Sequence, residues 1–220
     1  MADIYGATAL IGGGATALDS IDGADLSDGD AATVITDAGV YWYHLNATSG
    51  ATENSPFRIA PDSNAGDKRW HLVGTTARIG ALVKLTSNET LTSGSDLEIP
   101  WDSAEYDDAD FWEGITNPER LTVPEGVTEI KIGGSGYFEG NNSGRRVLKV
   151  IKGGSDFIGM PITSITPSTT NPMYINLASA VLETAANNYF ELRAYQDSGS
   201  PLTFYSDETS WFSIEAVGFA

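Results

Sequence analysis

The chain has 220 residues, and its 41% hydrophobic content suffices for a packed core, which excludes wholesale disorder. Twelve Lys and Arg stand against 30 Asp and Glu, a net charge of -18, so the surface repels nucleic acid phosphates and anionic lipid. Cysteine is absent, excluding a disulfide scaffold, thiolate metal sites and cysteine nucleophiles. No apolar run reaches the length of a membrane span, and the start Met1-Ala2-Asp3 lacks a charged-then-apolar signal pattern. It reads as a mature start, for a protein that leaves its producing cell by assembly or lysis.

Residues 7–17 are small and Gly-rich around Gly12-Gly13-Gly14. Adjacent glycines hold neither helix nor strand cheaply, so this is an adaptable arm or a tightly packed turn. Asp19, Asp22, Asp25, Asp28 and Asp30 follow. Converging carboxylates attract hard cations, but this spacing fails the helix-loop-helix calcium pattern. A period of three suits the solvated face of a short helix ended by Asp28-Gly29-Asp30.

Strands are predicted over 31–36 and 40–45, broken at Asp37-Ala38-Gly39, and then over 57–60 and 68–73. Residues 1–76 form a small β-rich module whose core depends on Tyr41, Trp42, Tyr43, Phe57 and Trp70; a module of that size is marginal alone. His44 and His71 sit within strands beside aromatics and read as packed or surface imidazoles. Residues 74–80 are the expected hinge.

The second domain, 77–220, reads as a series of short strands: 81–86, 97–101, 111–112, 121–123, 127–138, 145–152, 174–182, 189–196 and 211–218. Turn-punctuated strands in this number predict an antiparallel sandwich or jelly roll. The last two alternate most plainly, which places Phe190, Leu192, Phe212 and Ile214 in the core and turns Tyr189, Glu191, Arg193, Tyr195 and Trp211 away from it.

Asp102, Glu105, Asp107, Asp108, Asp110 and Glu113 are interleaved with Trp101, Tyr106, Phe111 and Trp112. Rings that stack on sugar faces beside acids that accept hydroxyl hydrogen bonds suit a sugar; a carboxylate pair that cleaves a glycosidic bond is the enzymatic alternative. Ordinary structural or surface placement is favoured over both. Gly133-Gly134-Ser135-Gly136 lacks the Lys and following helix of a phosphate loop and reads as a bulge allowing close strand approach. Of the neighbours Arg145 and Arg146, only one can face a groove or interface, and pairing with local carboxylates is the favoured use.

Several blocks in order carry a family resemblance: Pro124-Glu125-Gly126 before a strand, Gly144-Arg145-Arg146 leading to Gly153-Gly154, Phe190-Glu191-Leu192 with Gln196-Asp197-Ser198-Gly199, and Trp211-Phe212-Ser213-Ile214-Glu215. Over roughly residues 79–220 the chain resembles the globular jelly-roll head of complement-type and tumour-necrosis-factor-type trimers, in the versions that end bacteriophage fibres and spikes. The block Gly66–Val73 similarly resembles short modules near the attachment end of phage structural proteins.

The resemblance implies a homotrimeric β-sandwich, and the residue patterns above lead to no expected catalytic, cofactor or metal residues. It would be held to a virion capsid or tail protein by the N-terminal module, with its head displayed on the virion surface toward host carbohydrate or protein. Tyr106, Asp108, Asp110 and Trp112 are the expected receptor-contact region, and Tyr137, Tyr189, Tyr195 and Trp211 the expected trimer interface. A polysaccharide-degrading tip and a secreted complement-like trimer are the alternatives.

Overall fold

The computed structural model describes residues 2–12, 14–64, 66–155, 162–167 and 170–220. It divides into two units. The first comprises Met1–Ile79 with Glu125–Glu129 and Ala216–Ala220, the second Gly80–Pro124 with Ile130–Glu215.

In the first unit, β1 (Ile4–Ala7), β2 (Ala31–Thr36), β3 (Gly39–Asn46), β4 (Arg58–Ile59) and β5 (Arg69–Thr75) form one sheet in the order β1-β2-β3-β5-β4. β1 runs parallel to β2, and the other pairs are antiparallel. Alternation along β3 buries Tyr41, Tyr43 and Leu45, and these pack with Phe57, Trp70 and Leu72. Trp42, expected in this core, is 41% exposed, because its two neighbours already point inward. Phe57 needs cover from sequence-distant residues. Phe219 stacks on it at 6.3 Å, and Gly126, at φ 101°, lacks a Cβ that would stand 2.6 Å from the Phe57 Cβ.

The aspartate segment folds as two 3-10 turns, Leu18–Ser20 and Gly23–Asp25, in place of the expected short helix; three residues per turn is the period the acids follow. Each of four carboxylates accepts from a backbone N–H: Asp19 from Gly12, Asp22 from Ala24, Asp28 from Ala47, and buried Asp30 from both Asp3 and Ser27. Among the described residues no three acidic or histidine side chains converge as metal ligands. Gly12 and Gly14 both take positive φ, and the Gly12 N–H bonds Asp19 of the Leu18–Ser20 turn; Gly13 and Met1 lie outside the described residues.

The second unit holds β6 (Gly80–Lys84), β7 (Glu89–Leu91), β8 (Asp96–Glu98), β9 (Ser103–Asp107), β10 (Arg120–Thr122), β11 (Val127–Phe138), β12 (Arg146–Lys152), β13 (Ile162–Ile165), β14 (Met173–Asn176), β15 (Ala180–Glu183), β16 (Tyr189–Gln196), β17 (Leu202–Tyr205) and β18 (Trp211–Phe219). The last residues of β18 and the first of β11 count with the first unit. One sheet contains β10-β16-β12-β13, and the other contains β6-β18-β11 with β14 and β15 also on β11.

With β14–β15 taken as one broken strand, those eight fall into the orders first-eighth-third-sixth and second-seventh-fourth-fifth. That alternation between two antiparallel sheets is the jelly-roll winding. The protein is therefore all-β, with an antiparallel jelly-roll sandwich after a small β-rich unit. β7 and β17 extend the second sheet, β9 adds to its β6 edge, and β8 pairs with β16 in the first.

Phe190, Leu192, Phe212 and Ile214 are all fully buried between the sheets, as their alternation requires. Trp101 stacks on Phe212 at 6.3 Å, and Phe138 meets Phe204 edge-on at 5.2 Å. The glycines of β11 serve this packing. A Cβ on Gly134 would come within 2.9 Å of Leu192 Cδ2, and one on Gly136 within 2.7 Å of Phe204 Cε2. The expected strand over 174–182 breaks at Leu177-Ala178-Ser179, and residues 111–112 make only a bridge from Trp112 to Leu121.

Candidate functional site

The two sheets of the jelly roll turn different chemistry outward. On β11, Phe138 points into the core, so Tyr137 points out. Register places Tyr174 and Tyr205 on either side of it. Tyr137 stacks on Tyr174 at 4.1 Å with the rings 12° apart, and lies 4.8 Å from Tyr205. Tyr174 is 50% exposed, and its hydroxyl is held above its ordinary pKa first by the hydrogen bond with Tyr137 and then by desolvation. Trp211, outward on β18, lies against Gly133, where a Cβ would sit 3.5 Å from the indole ring. The three tyrosines form an aromatic strip, and Trp211 lies apart from them on the same outer face.

The other sheet carries charge. Glu191 is 1% exposed although it points away from the core, because Arg120 and Arg193 close over it from neighbouring positions. Arg120 also pairs with Glu119 at 3.1 Å and lies 4.2 Å from the Tyr189 ring centroid. Arg193 pairs with Glu98 at 2.8 Å, and Lys149 with Asp96 at 3.0 Å. At the end of this face Arg145, 57% exposed, pairs with Asp197 at 3.1 Å and lies 5.5 Å from the Tyr195 ring centroid.

The four residues expected at a trimer interface are thus divided. Tyr137 and Trp211 share one outer face, whereas Tyr189 and Tyr195 lie on the outer face of the opposite sheet among ion pairs. Alternation shows only that a side chain leaves the core; which sheet it leaves from is a matter of topology. Tyr174 and Tyr205, which complete the strip, sit on short strands without an alternating run to mark them.

Tyr106, Asp108, Asp110 and Trp112 follow one another from β9 into the next loop. Asp108 and Asp110 are exposed, and Tyr106 and Trp112 half-buried. The organising group is Asp107, whose carboxylate accepts from Phe111 N–H at 2.8 Å and Trp112 N–H at 3.1 Å. Desolvation outweighs those bonds and raises its pKa. The Trp112 indole donates to Pro118 O at 3.1 Å. Trp101 and Phe111 are core residues, and Asp102 accepts from the backbone and hydroxyl of Thr86, so much of this acidic and aromatic stretch is structural.

Arg145 and Arg146 separate as adjacent strand residues must. Arg146 is fully buried and donates to the carbonyls of Asn141, Ser143 and Arg145, each at 3.1 Å. Burial lowers its pKa. Opposite it on β16, buried Gln196 donates to Leu91 O and Ser200 O and accepts from Ser198 N–H. Together the pair pins the loops at one end of the sandwich. Within the first unit, His71 bonds Ser49 Oγ at 2.8 Å and faces His44 across the strands, so both histidines have ordinary strand roles.

No protein-family model matches the chain, and no curated protein matches it in sequence. Solved structures do. The Eiger TNF of S. frugiperda is 13% identical, with 65% of this chain and 94% of that one covered and a TM-score of 0.43. The globular domain of the zebrafish complement 1qA protein is 10% identical, covering 65% and 99%, at a TM-score of 0.48. Murine APRIL at pH 8.0 is 7% identical, covering 64% and 99%, at a TM-score of 0.46.

Proposed function

We propose that this chain is a non-enzymatic bacteriophage virion protein that assembles as a homotrimer. In this reading its N-terminal residues 1–76 hold it to a capsid or tail protein, and its jelly roll is an adhesive head. The observation that carries the trimer is the strip of Tyr137, Tyr174 and Tyr205, with Trp211 further along the same outer face. Burying such rings around a closed axis removes an apolar patch without leaving a surface that drives filaments. The net charge of -18 opposes looser contacts elsewhere. The virion role draws on the sequence resemblance to phage fibre and spike heads.

Three copies of a weak site on one head bind a cell surface together when geometry permits, so adhesion would come from avidity. The exposed carboxylates Asp108 and Asp110, with Tyr106 and Trp112 beside them, are the proposed receptor contact, toward host-surface carbohydrate or protein. Sedimentation equilibrium of the full chain tests the reading: the expected mass is that of a trimer, falling toward monomer in Tyr174→Asp. A folded wild-type monomer at micromolar concentration would overturn it. Labelled antibody on virions, decorating capsid or tail, tests the location.

A further inference from the structure

The charged sheet ends in a groove of about 380 Å³ that the reading above does not use. Asp96, Arg145, Lys149 and Tyr195 line it, with Val147 and Ile162 at its apolar edges. The register explains the grouping. Asp96, Tyr195 and Val147 stand opposite one another across β8, β16 and β12, and Ile162 stands opposite Lys149. The half-buried Tyr195 ring therefore lies between an acid and an aliphatic side chain, with Arg145 over it.

The charges decide what such a groove accepts. Its two cations already have acids beside them, Lys149 with Asp96 at 3.0 Å and Arg145 with Asp197 at 3.1 Å. An anion would have to compete with those carboxylates on a molecule of net charge -18, and a cation with the amine and guanidinium. A neutral ligand displaces neither. The wall offers an acceptor, Asp96, beside the donors Lys149 and Arg145, which matches hydroxyls that each donate and accept. The Tyr195 ring with the Val147 and Ile162 edges matches the C–H face of a pyranose. The volume lies within the usual range for small-molecule sites.

We propose that this groove binds one neutral hexose or N-acetylhexosamine unit, packed against Tyr195 beside Arg145 and hydrogen-bonded by Asp96, Lys149 and Arg145. The proposal rests on the adhesive reading for its biological use but not for its chemistry.

Saturation-transfer NMR on the purified full chain, with methyl β-galactoside, methyl β-glucoside, N-acetylglucosamine and N-acetylneuraminate as probes, tests it directly. At least one neutral sugar should show transfer to its ring C–H protons. Tyr195→Ala should weaken that binding at least about tenfold, and Tyr195→Phe should retain it. Should Tyr195→Ala fail to fold, Asp96→Ala, at the groove wall, should weaken it instead. Three outcomes would overturn the proposal: no transfer from any neutral sugar, transfer only from N-acetylneuraminate, or binding unchanged by both alanine variants. Binding to host cells read in parallel separates the two ideas. Undiminished adhesion by a Tyr195→Ala protein that has lost the sugar would leave the groove established and the adhesive reading resting on Tyr106–Trp112 alone.

Discussion

The two outer faces of the jelly roll follow the same alternation yet have opposite chemistry. Behind the C-terminal part of β11 the outward residues include stacked tyrosines, with Lys131 of β11 paired to Glu215 of β18 at 3.5 Å on the same sheet, whereas behind β12 and β16 acids and bases are locked in pairs, with one carboxylate driven into near-complete burial. The half-exposed Tyr174 ring leaves apolar surface of that face in water. An ion-paired face is already satisfied, so what binds there must slip between existing bonds. Residues that look equivalent in a strand pattern, such as Tyr137 and Tyr195, thus have different uses according to the sheet that carries them.

Both faces hang on the core between them, so the largest effect comes from breaking that. Phe190→Ala should cost about 3–5 kcal/mol of unfolding free energy by denaturant titration, because Phe190 is fully buried. A loss below about 1 kcal/mol would mean that β16 is set one residue out of register, which would exchange its two faces.

A smaller effect separates the faces. Glu191→Ala leaves Arg120 and Arg193 without their shared carboxylate and should cost about 1–3 kcal/mol. It should leave the oligomeric mass unchanged, since it touches only the paired sheet. A loss below about 0.5 kcal/mol would show that Glu119 and Glu98 satisfy the two arginines alone.

The smallest effect is a pH response at the β9 end of the aromatic sheet. The Asp107 carboxyl titrates above its ordinary value of 3.8, chiefly through desolvation. The folded state therefore holds its proton more tightly than the unfolded chain does. The resulting stability is fully present below 3.8 and is lost as pH rises through the raised value. Thermal melts across acid pH should show this contribution, and Asp107→Asn should flatten it. An identical pH profile in the variant would show that Asp107 does not couple to folding.

The strong alternations read straight from the chain. β2 and β16 begin and end where their patterns do, since a strand half-buried on one face must alternate with period two. Phe190, Leu192, Phe212 and Ile214 belong to one core for the same reason. Short strands carry too few residues to show a period, so β1, β7, β9, β13 and β17 left no mark. With β17 went Tyr205 of the aromatic strip, and with the unmarked break between β14 and β15 the placing of Tyr174.

The acids and rings around Tyr106 stood out by composition, yet the groove did not, because Asp96, Lys149 and Tyr195 meet only through the pairing of β8, β12 and β16. Nor could composition distinguish Arg146, bonded to backbone carbonyls in the core, from Arg145 at the surface. Local sequence settles which way each side chain leaves its own strand, because that depends on the backbone's two-residue repeat. Which strands become neighbours, and so which charges and rings meet, depends on long-range winding, and that is decided only when the two sheets close over their shared core.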